Sequence, residues 1–295
     1  MRPVSLPRRA LLLVVFVCAA GALCDALDWP VAIRSISGTF GEDRGDHFHN
    51  GIDIGGGGQE VHPVLPGEVV FRYDEASDYS SLPRGLGTFV VLRHSLDVLS
   101  AYCHLVSGSL GPAKETYQLA DRIGILGETG HAQGPHLHFS LYDEEAGSMV
   151  NPLTLLPPIP DRQAPLIRRV ILVAGDQRTL LADGADLAAE TVDVLAEVYD
   201  LREDVRFSWP LAPYSISVSL DGNEVARIVF DSLSVQDGRL LMGASGPSRD
   251  ALYDPSGLVR CGTLKLAGGV ARLRLSARDF AGNEAVKEIA FTVRE

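Results

Sequence analysis

The sequence predicts a mainly β protein in two parts, an antiparallel sheet in the first half and an antiparallel β-sandwich in the second. Between Ser35 and Pro152, short apolar runs (EVVFRY, TFVVLRH, LSAYCH, HLHFSLY) are separated by Gly and Pro, as strands joined by turns are. From Leu166 onward, runs of near-alternating polarity recur at regular spacing, the pattern of half-buried strands. The 295 residues set a prior of about two domains. The first part carries no long amphipathic helical pattern, and the chain shows no internal repeat and no low-complexity tract.

Taken in order, the chain begins with Arg2, Arg8 and Arg9, followed by a charge-free run from Ala10 to Cys24. A basic start and a short apolar stretch describe a secretory signal peptide, assigned to residues 1–26. The stretch falls short of the roughly 20 residues that a spanning helix needs. The expectation is export to the periplasm or cell envelope. The N-terminal segment is a candidate membrane tether if it is retained, although Leu23 is a poor residue to precede a lipidated Cys24. Residues 27–152 form the first domain. Asn151–Pro165 holds five of the 17 Pro and reads as an extended, stiff connection, with the linker proper at 153–165. Residues 166–295 form the second domain. TVDVLAEVYD, SISVSL, ARIVF, ARLRLSARD and AVKEIAFTV are its strands, and Asp221–Glu224 and Ala281–Asn283 are its hairpin turns, because Gly and Asn accept positive φ.

Charge narrows the partners. Lys and Arg number 26 against 38 Asp and Glu, a net charge of −12. The first 24 residues contribute three Arg and no acid, so the remainder stands at 23 minus 38, or −15. Phosphate backbones repel such a chain, and no nucleic-acid partner is expected. Cys103 and Cys261 are the cysteines outside the N-terminal segment. They are too few for a disulfide framework and read as buried apolar residues.

All eight His lie between His47 and His138, so something in the first half uses imidazole. The chemistry concentrates in His49-Asn-Gly-Ile-Asp53, Tyr102-Cys-His104-Leu and Gly134-Pro-His136-Leu-His138-Phe. Residues two apart on a strand share a face, so His136 and His138 project together. His49 and Asp53 can share a face if their segment is extended. Imidazole and carboxylate are good zinc ligands, and two His with one carboxylate leave an open fourth position, the mark of a catalytic site. Two further His then remain beside the metal to handle protons.

HFHNGIDI, the Gly-rich turn, PVLPGEVV, GLGTFVVLRHS, SAYCHL, GILGETG and GPHLHFSLYD…NP together resemble the lysostaphin-type (LytM-like) zinc endopeptidases, in order and in spacing, over roughly Ser35 to Pro152. The resemblance implies an antiparallel β-sheet groove peptidase domain with Zn2+ at its floor. It implies that His49, Asp53 and His138 bind the zinc. It also implies that His104 and His136 orient and deprotonate the attacking water and stabilise the developing oxyanion; which of the two is the base is left open. The implied substrate is the peptide of bacterial peptidoglycan, in cross-links or stem peptides. The expected function is an exported zinc metalloendopeptidase, and the alternative is a non-catalytic murein-binding regulator of cell-wall hydrolysis or division. ARDFAGNEAVKEIAFTV resembles the last hairpin of bacterial immunoglobulin-like domains, which implies an Ig-like β-sandwich serving as a spacer, a docking module for a protein partner, or an autoinhibitory cover.

The remaining motifs read as structure. His94 is expected to support the fold, His47 to sit at the groove rim, His62 in solvent and His131 on a loop. Glu42, Asp43 and Asp46 read as loop acids. Gly55–Gly58 lacks the Lys-Ser/Thr of a phosphate loop. Strand alternation predicts that Cys103, between Tyr102 and His104, faces away from the metal.

Overall fold

The computed structural model describes residues 27–77, 85–202 and 210–295. The signal peptide expected at residues 1–26 lies outside them. The described chain is built of strands, as the sequence predicts, and its strand ladders are antiparallel apart from Ala185–Ala188, which runs parallel to Glu284–Arg294.

The central strand of the first sheet is His136–Asp143. Its sequence alternates: Leu137, Phe139 and Leu141 are buried among apolar neighbours, while His136 and His138 take the other face. One edge pairs with Val98–Leu105, and Thr88–Arg93, Gly67–Tyr73 and Thr116–Tyr117 continue the sheet. The other edge is shared. Ile52–Gly55 pairs with the first half of the strand, and Ser148–Val150 pairs with the second half. Beneath lies a core that includes Ile36, Ile52, Ile54, Leu92, Tyr102, Tyr117 and Phe139.

The second part consists of two sheets. One runs Gln177–Leu180, Leu166–Ala174, Thr191–Tyr199, Val259–Lys265; the other runs Ala185–Ala188, Glu284–Arg294, Gly269–Arg278, Ser215–Leu220, Asn223–Val229. They share one core, in which Val170, Leu172 and Val194 meet Val218, Leu273, Leu275 and Phe291. The turn at Asp221-Gly222 has φ values of 51° and 82°, as its sequence predicts.

The two parts are joined more closely than a connecting linker requires. The hairpin Ser232–Gln236/Arg239–Met242, which lies in the second half of the sequence, pairs with Ser148–Val150 and completes the edge of the first sheet. In return, Phe40 and Phe48 of the first part are buried in the core of the second. Asp43 accepts a bidentate pair from Arg249 (2.7 and 2.9 Å), and the Tyr253 hydroxyl donates to Gly41 O (2.9 Å). The Pro-rich segment is itself fastened at both ends. Trp29 Nε1 donates to Pro157 O (3.0 Å), and Asn283 Nδ2 donates to Asp161 O (3.2 Å).

Candidate metal centre

Asp53 and His138 are directly opposed on antiparallel neighbours, so their side chains share a face. His49 reaches the same point from the loop that precedes Ile52–Gly55. Its Nε2 lies 3.0 Å from Asp53 Oδ1 and 3.0 Å from His138 Nδ1, and those two atoms are 3.1 Å apart. All three residues are buried. Tetrahedral zinc, with bonds of about 2.0–2.1 Å, sets its ligand atoms about 3.3 Å apart, so one ion fits this three-atom face.

Each donor is held from behind. A carbonyl can only accept, so His49 Nδ1 donates to Thr39 O (2.7 Å), which leaves Nε2 as the nitrogen that faces the centre. Asp53 spends Oδ2 on Arg44 Nη2 (2.7 Å), which leaves Oδ1 for the centre. Burial would raise the Asp53 carboxyl, but the adjacent His49 and His138 outweigh it and hold the group well below the usual carboxylate range. Gly51 has to be glycine, because a Cβ there would lie 2.5 Å from Phe139 O and 3.0 Å from the His138 ring.

His104 and His136 stand beside this face, with ring centroids 4.8 Å apart, and His104 is 6.0 Å from His138. His104 Nδ1 donates to Thr129 O (2.8 Å) and His136 Nδ1 to Gly134 O (2.9 Å), so both rings leave Nε2 free to take a proton. His136 Nε2 lies 3.7 Å from Asp53 Oδ1. Burial drives His104 down to about 4 against the opposing pull of the Thr129 carbonyl, so its ring is neutral at neutral pH. Its backbone has φ of 63°, a left-handed conformation that His tolerates better than most residues and that costs on the order of 1–3 kcal/mol. The contact of the flanking loop with Thr129 is close: a Cβ on Gly87 would meet Thr129 Oγ1 at 2.3 Å.

That left-handed residue corrects one expectation. Cys103 opposes His138 across the antiparallel pair and therefore lies on the same side of the sheet, while Tyr102 packs with Phe139 beneath. Alternation fails between Cys103 and His104 because the chain bulges there, with the register shifting between Thr88 and Val90 on the partner strand. Burial, helped by the charge of Asp53, pushes the Cys103 thiol up to about 12, so it stays protonated, and its sulfur is not one of the converging donors.

The other predicted positions divide cleanly. His94 Nδ1 donates to Pro66 O (3.0 Å) and its Nε2 lies 2.7 Å from Ser100 Oγ, a supporting role. His47 is exposed and pairs with Asp46, and His62 Nδ1 donates to Asp121 O (3.1 Å). Glu42 is no free loop acid: Thr39 N donates to its Oε1 (2.5 Å), fixing the residue whose carbonyl orients His49. The sequence reading missed Arg44 and the carbonyls of Thr39, Thr129 and Gly134. Carbonyls leave no signature in side-chain identity, and no spacing rule pairs an Arg with an Asp nine residues on.

Residues 47–152 match the family model described as Peptidase family M23, and a second model, which names no activity, matches residues 164–294. An "Uncharacterized metalloprotease" of Haemophilus influenzae is 42% identical over 71 residues, 24% of this chain and 14% of that protein. "Murein hydrolase activator NlpD" of Escherichia coli is 32% identical over 130 residues, 44% of this chain and 31% of that protein. "DD-carboxypeptidase/endopeptidase Mpg" of Neisseria meningitidis is 30% identical over 115 residues, 39% of this chain and 24% of that protein. The chain thus spans less than a third of the length of each of these relatives.

Proposed function

We propose, from the premise that residues 47–152 are a domain of peptidase family M23, that this chain is an exported zinc metalloendopeptidase that hydrolyses peptide bonds of bacterial peptidoglycan. The observation that carries the proposal is the three-atom face of His49 Nε2, Asp53 Oδ1 and His138 Nδ1, flanked by two more imidazoles. His49, Asp53 and His138 would hold the zinc. Bound zinc supplies Lewis acidity, which makes water nucleophilic near neutral pH and polarises the scissile carbonyl. His104 and His136 do the proton work. Each donates Nδ1–H to a carbonyl and turns Nε2 toward the centre, and either accepts a proton there from the attacking water and returns it to the leaving amine. Either imidazole, once protonated, also faces the oxyanion that forms. Arg44 keeps Asp53 oriented and takes no part in proton transfer.

The similarity to a murein hydrolase activator favours a second reading, a regulator that binds murein without cutting it. Retention of all five side chains argues for the enzyme. Defined muropeptides digested by the zinc-loaded chain and read by mass spectrometry separate the two. The enzyme gives new peptide termini, a chelator removes them and added zinc restores them. Intact muropeptides at full zinc loading would leave the regulator reading in place.

A further inference from the structure

A second group of acids lies outside the His centre. Asp161 belongs to the Pro-rich segment, Asp200 follows the strand Thr191–Tyr199, and Asp279 follows the strand Gly269–Arg278. Folding brings one carboxylate oxygen of each within 4.8 Å of the others. The group is deeply buried. The Asp161 side chain is 2% exposed, and Asp200 and Asp279 are each 2% exposed.

The hydrogen bonds of the group leave a gap. Asp279 is satisfied at both oxygens by Asn283, from N to Oδ1 (2.8 Å) and from Nδ2 to Oδ2 (2.8 Å). Asp200 Oδ1 accepts from Leu201 N (3.0 Å), and Asp161 Oδ1 accepts from Gln163 N (3.1 Å). Asp161 Oδ2 has no hydrogen-bond partner. Among the described residues it is the single buried side-chain atom of which that is true. Arg202 Nη1 lies 3.6 Å from it, beyond hydrogen-bond reach, and is the one cation paired with the group among the described residues. Among the described residues three carboxyl groups face one guanidinium, an excess of acid in a place where charge is costly unless it is balanced. Burial and the two neighbouring Asp push Asp200 up to about 7, the mark of this crowding.

We infer that Asp161, Asp200 and Asp279 form a calcium site that clamps the Pro-rich segment to the end of the second domain. The donors are all oxygen, with no imidazole or thiolate, so the site suits a hard cation and not zinc. Magnesium demands near-ideal octahedral geometry and gives up its waters reluctantly, whereas calcium accepts irregular sets of carboxylate oxygens, so a buried all-carboxylate group suits calcium. A divalent ion offsets the crowding of the carboxyl groups and gives Asp161 Oδ2 its missing partner. Because the segment also touches the first domain through Trp29 and Pro157, the ion would stiffen the joint between the two parts.

The test uses the full chain, loaded with one zinc and freed of calcium. Equilibrium dialysis against calcium should add about one ion per chain, and the thermal midpoint should rise by about 5 °C at calcium concentrations near 100-fold over Kd. Asp161→Asn and Asp279→Asn should keep their zinc and lose the calcium-dependent rise. Asp161→Asn in calcium-free buffer should melt at or above the parent, since it removes a buried charge. Asp53→Ala, which disables the other centre, should retain the calcium response. The inference falls if no calcium binds, if magnesium gives an equal rise, or if Asp161→Asn keeps the response. It also falls if Asp161→Asn melts lower by the same amount with and without calcium, which would make the group a plain partner of Arg202.

Discussion

The two halves of the molecule bury similar apolar strands but different polar groups, and each half satisfies them differently. The first half buries His49, His94, His104 and His138 with Asp53; the second buries Asp200, Asp254 and Asp279. An imidazole enters a core as a neutral ring, so one carbonyl fixes its tautomer and the other nitrogen remains available for chemistry. Thr39, Thr129 and Gly134 fill that role for His49, His104 and His136, whereas His94 spends one nitrogen on Pro66 O and the other on Ser100 Oγ. A carboxylate enters charged and needs several donors. Asp254 has them in Leu258 N, Ser256 N, Ser256 Oγ and Arg178 Nη2, whereas Asp161 Oδ2 has none. Burial therefore does not distinguish a site from a scaffold. The distinction lies in whether lone pairs remain that point at one another.

The largest way to break the comparison is to remove a donor from the His centre. Asp53→Ala should drop zinc from about one per chain toward zero and reduce muropeptide cleavage to background, because two donors do not make a three-ligand site. Metal analysis beside the mass-spectrometric assay reads both, and full zinc retention at low free metal would overturn the ligand set. His104→Ala should keep its zinc and lose on the order of 10²–10⁴ in turnover. A zinc-free His104→Ala would mean that this imidazole is a ligand.

The next effect concerns what ties the halves together. Phe48 is 1% exposed, packs edge-on to Tyr253 at 6.2 Å and immediately precedes His49. Phe48→Ala should cost about 3–5 kcal/mol in urea unfolding. A loss under about 1 kcal/mol would show that the two cores are independent. For the same reason, a chain ended at Pro158 should aggregate or melt early, since it uncovers Phe40 and Phe48 and removes the hairpin that edges the first sheet. A soluble fragment with parental melting would separate the halves after all.

The smallest effect lies within the second half. Asp254→Asn leaves donors poorly matched and should cost about 1–3 kcal/mol at pH 7. Burial would raise the Asp254 carboxyl, but its hydrogen bonds and Arg178 outweigh that and hold it below its ordinary value. The native state thus binds this proton less readily than the unfolded chain does. The stabilisation is complete above the unfolded value of about 3.9 and fades as pH falls through the lower native value. The gap between parent and variant should therefore narrow in unfolding experiments as pH is taken down from 7 to below about 3.9, and an unchanged gap across that range would show that charge is not the cause.

Much of this was readable before folding. HLHF placed two imidazoles on one face because strand side chains alternate, and Asp221-Gly222 marked a hairpin because positive φ favours those residues. Alternation failed at Cys103, where one left-handed residue restarts the count. Asp237-Gly238, with φ of 50° and 73°, turns a hairpin of the same kind between SLSVQ and RLLM. Its turn is visible in the sequence, but its destination on the edge of the first sheet is not.

The sequence by itself determined the strand content, the ordered His and Asp motifs and the resemblance they carry, because these depend on residue type and on spacings of a few positions. Tertiary structure alone decided which carbonyls aim the imidazoles, that Arg44 holds Asp53, that the halves exchange a hairpin for two phenylalanines, and that Asp161, Asp200 and Asp279 meet. Those contacts join residues as much as about 210 positions apart, such as Tyr253 and Gly41. No local propensity encodes such pairs; they form only when apolar burial has already brought the strands together.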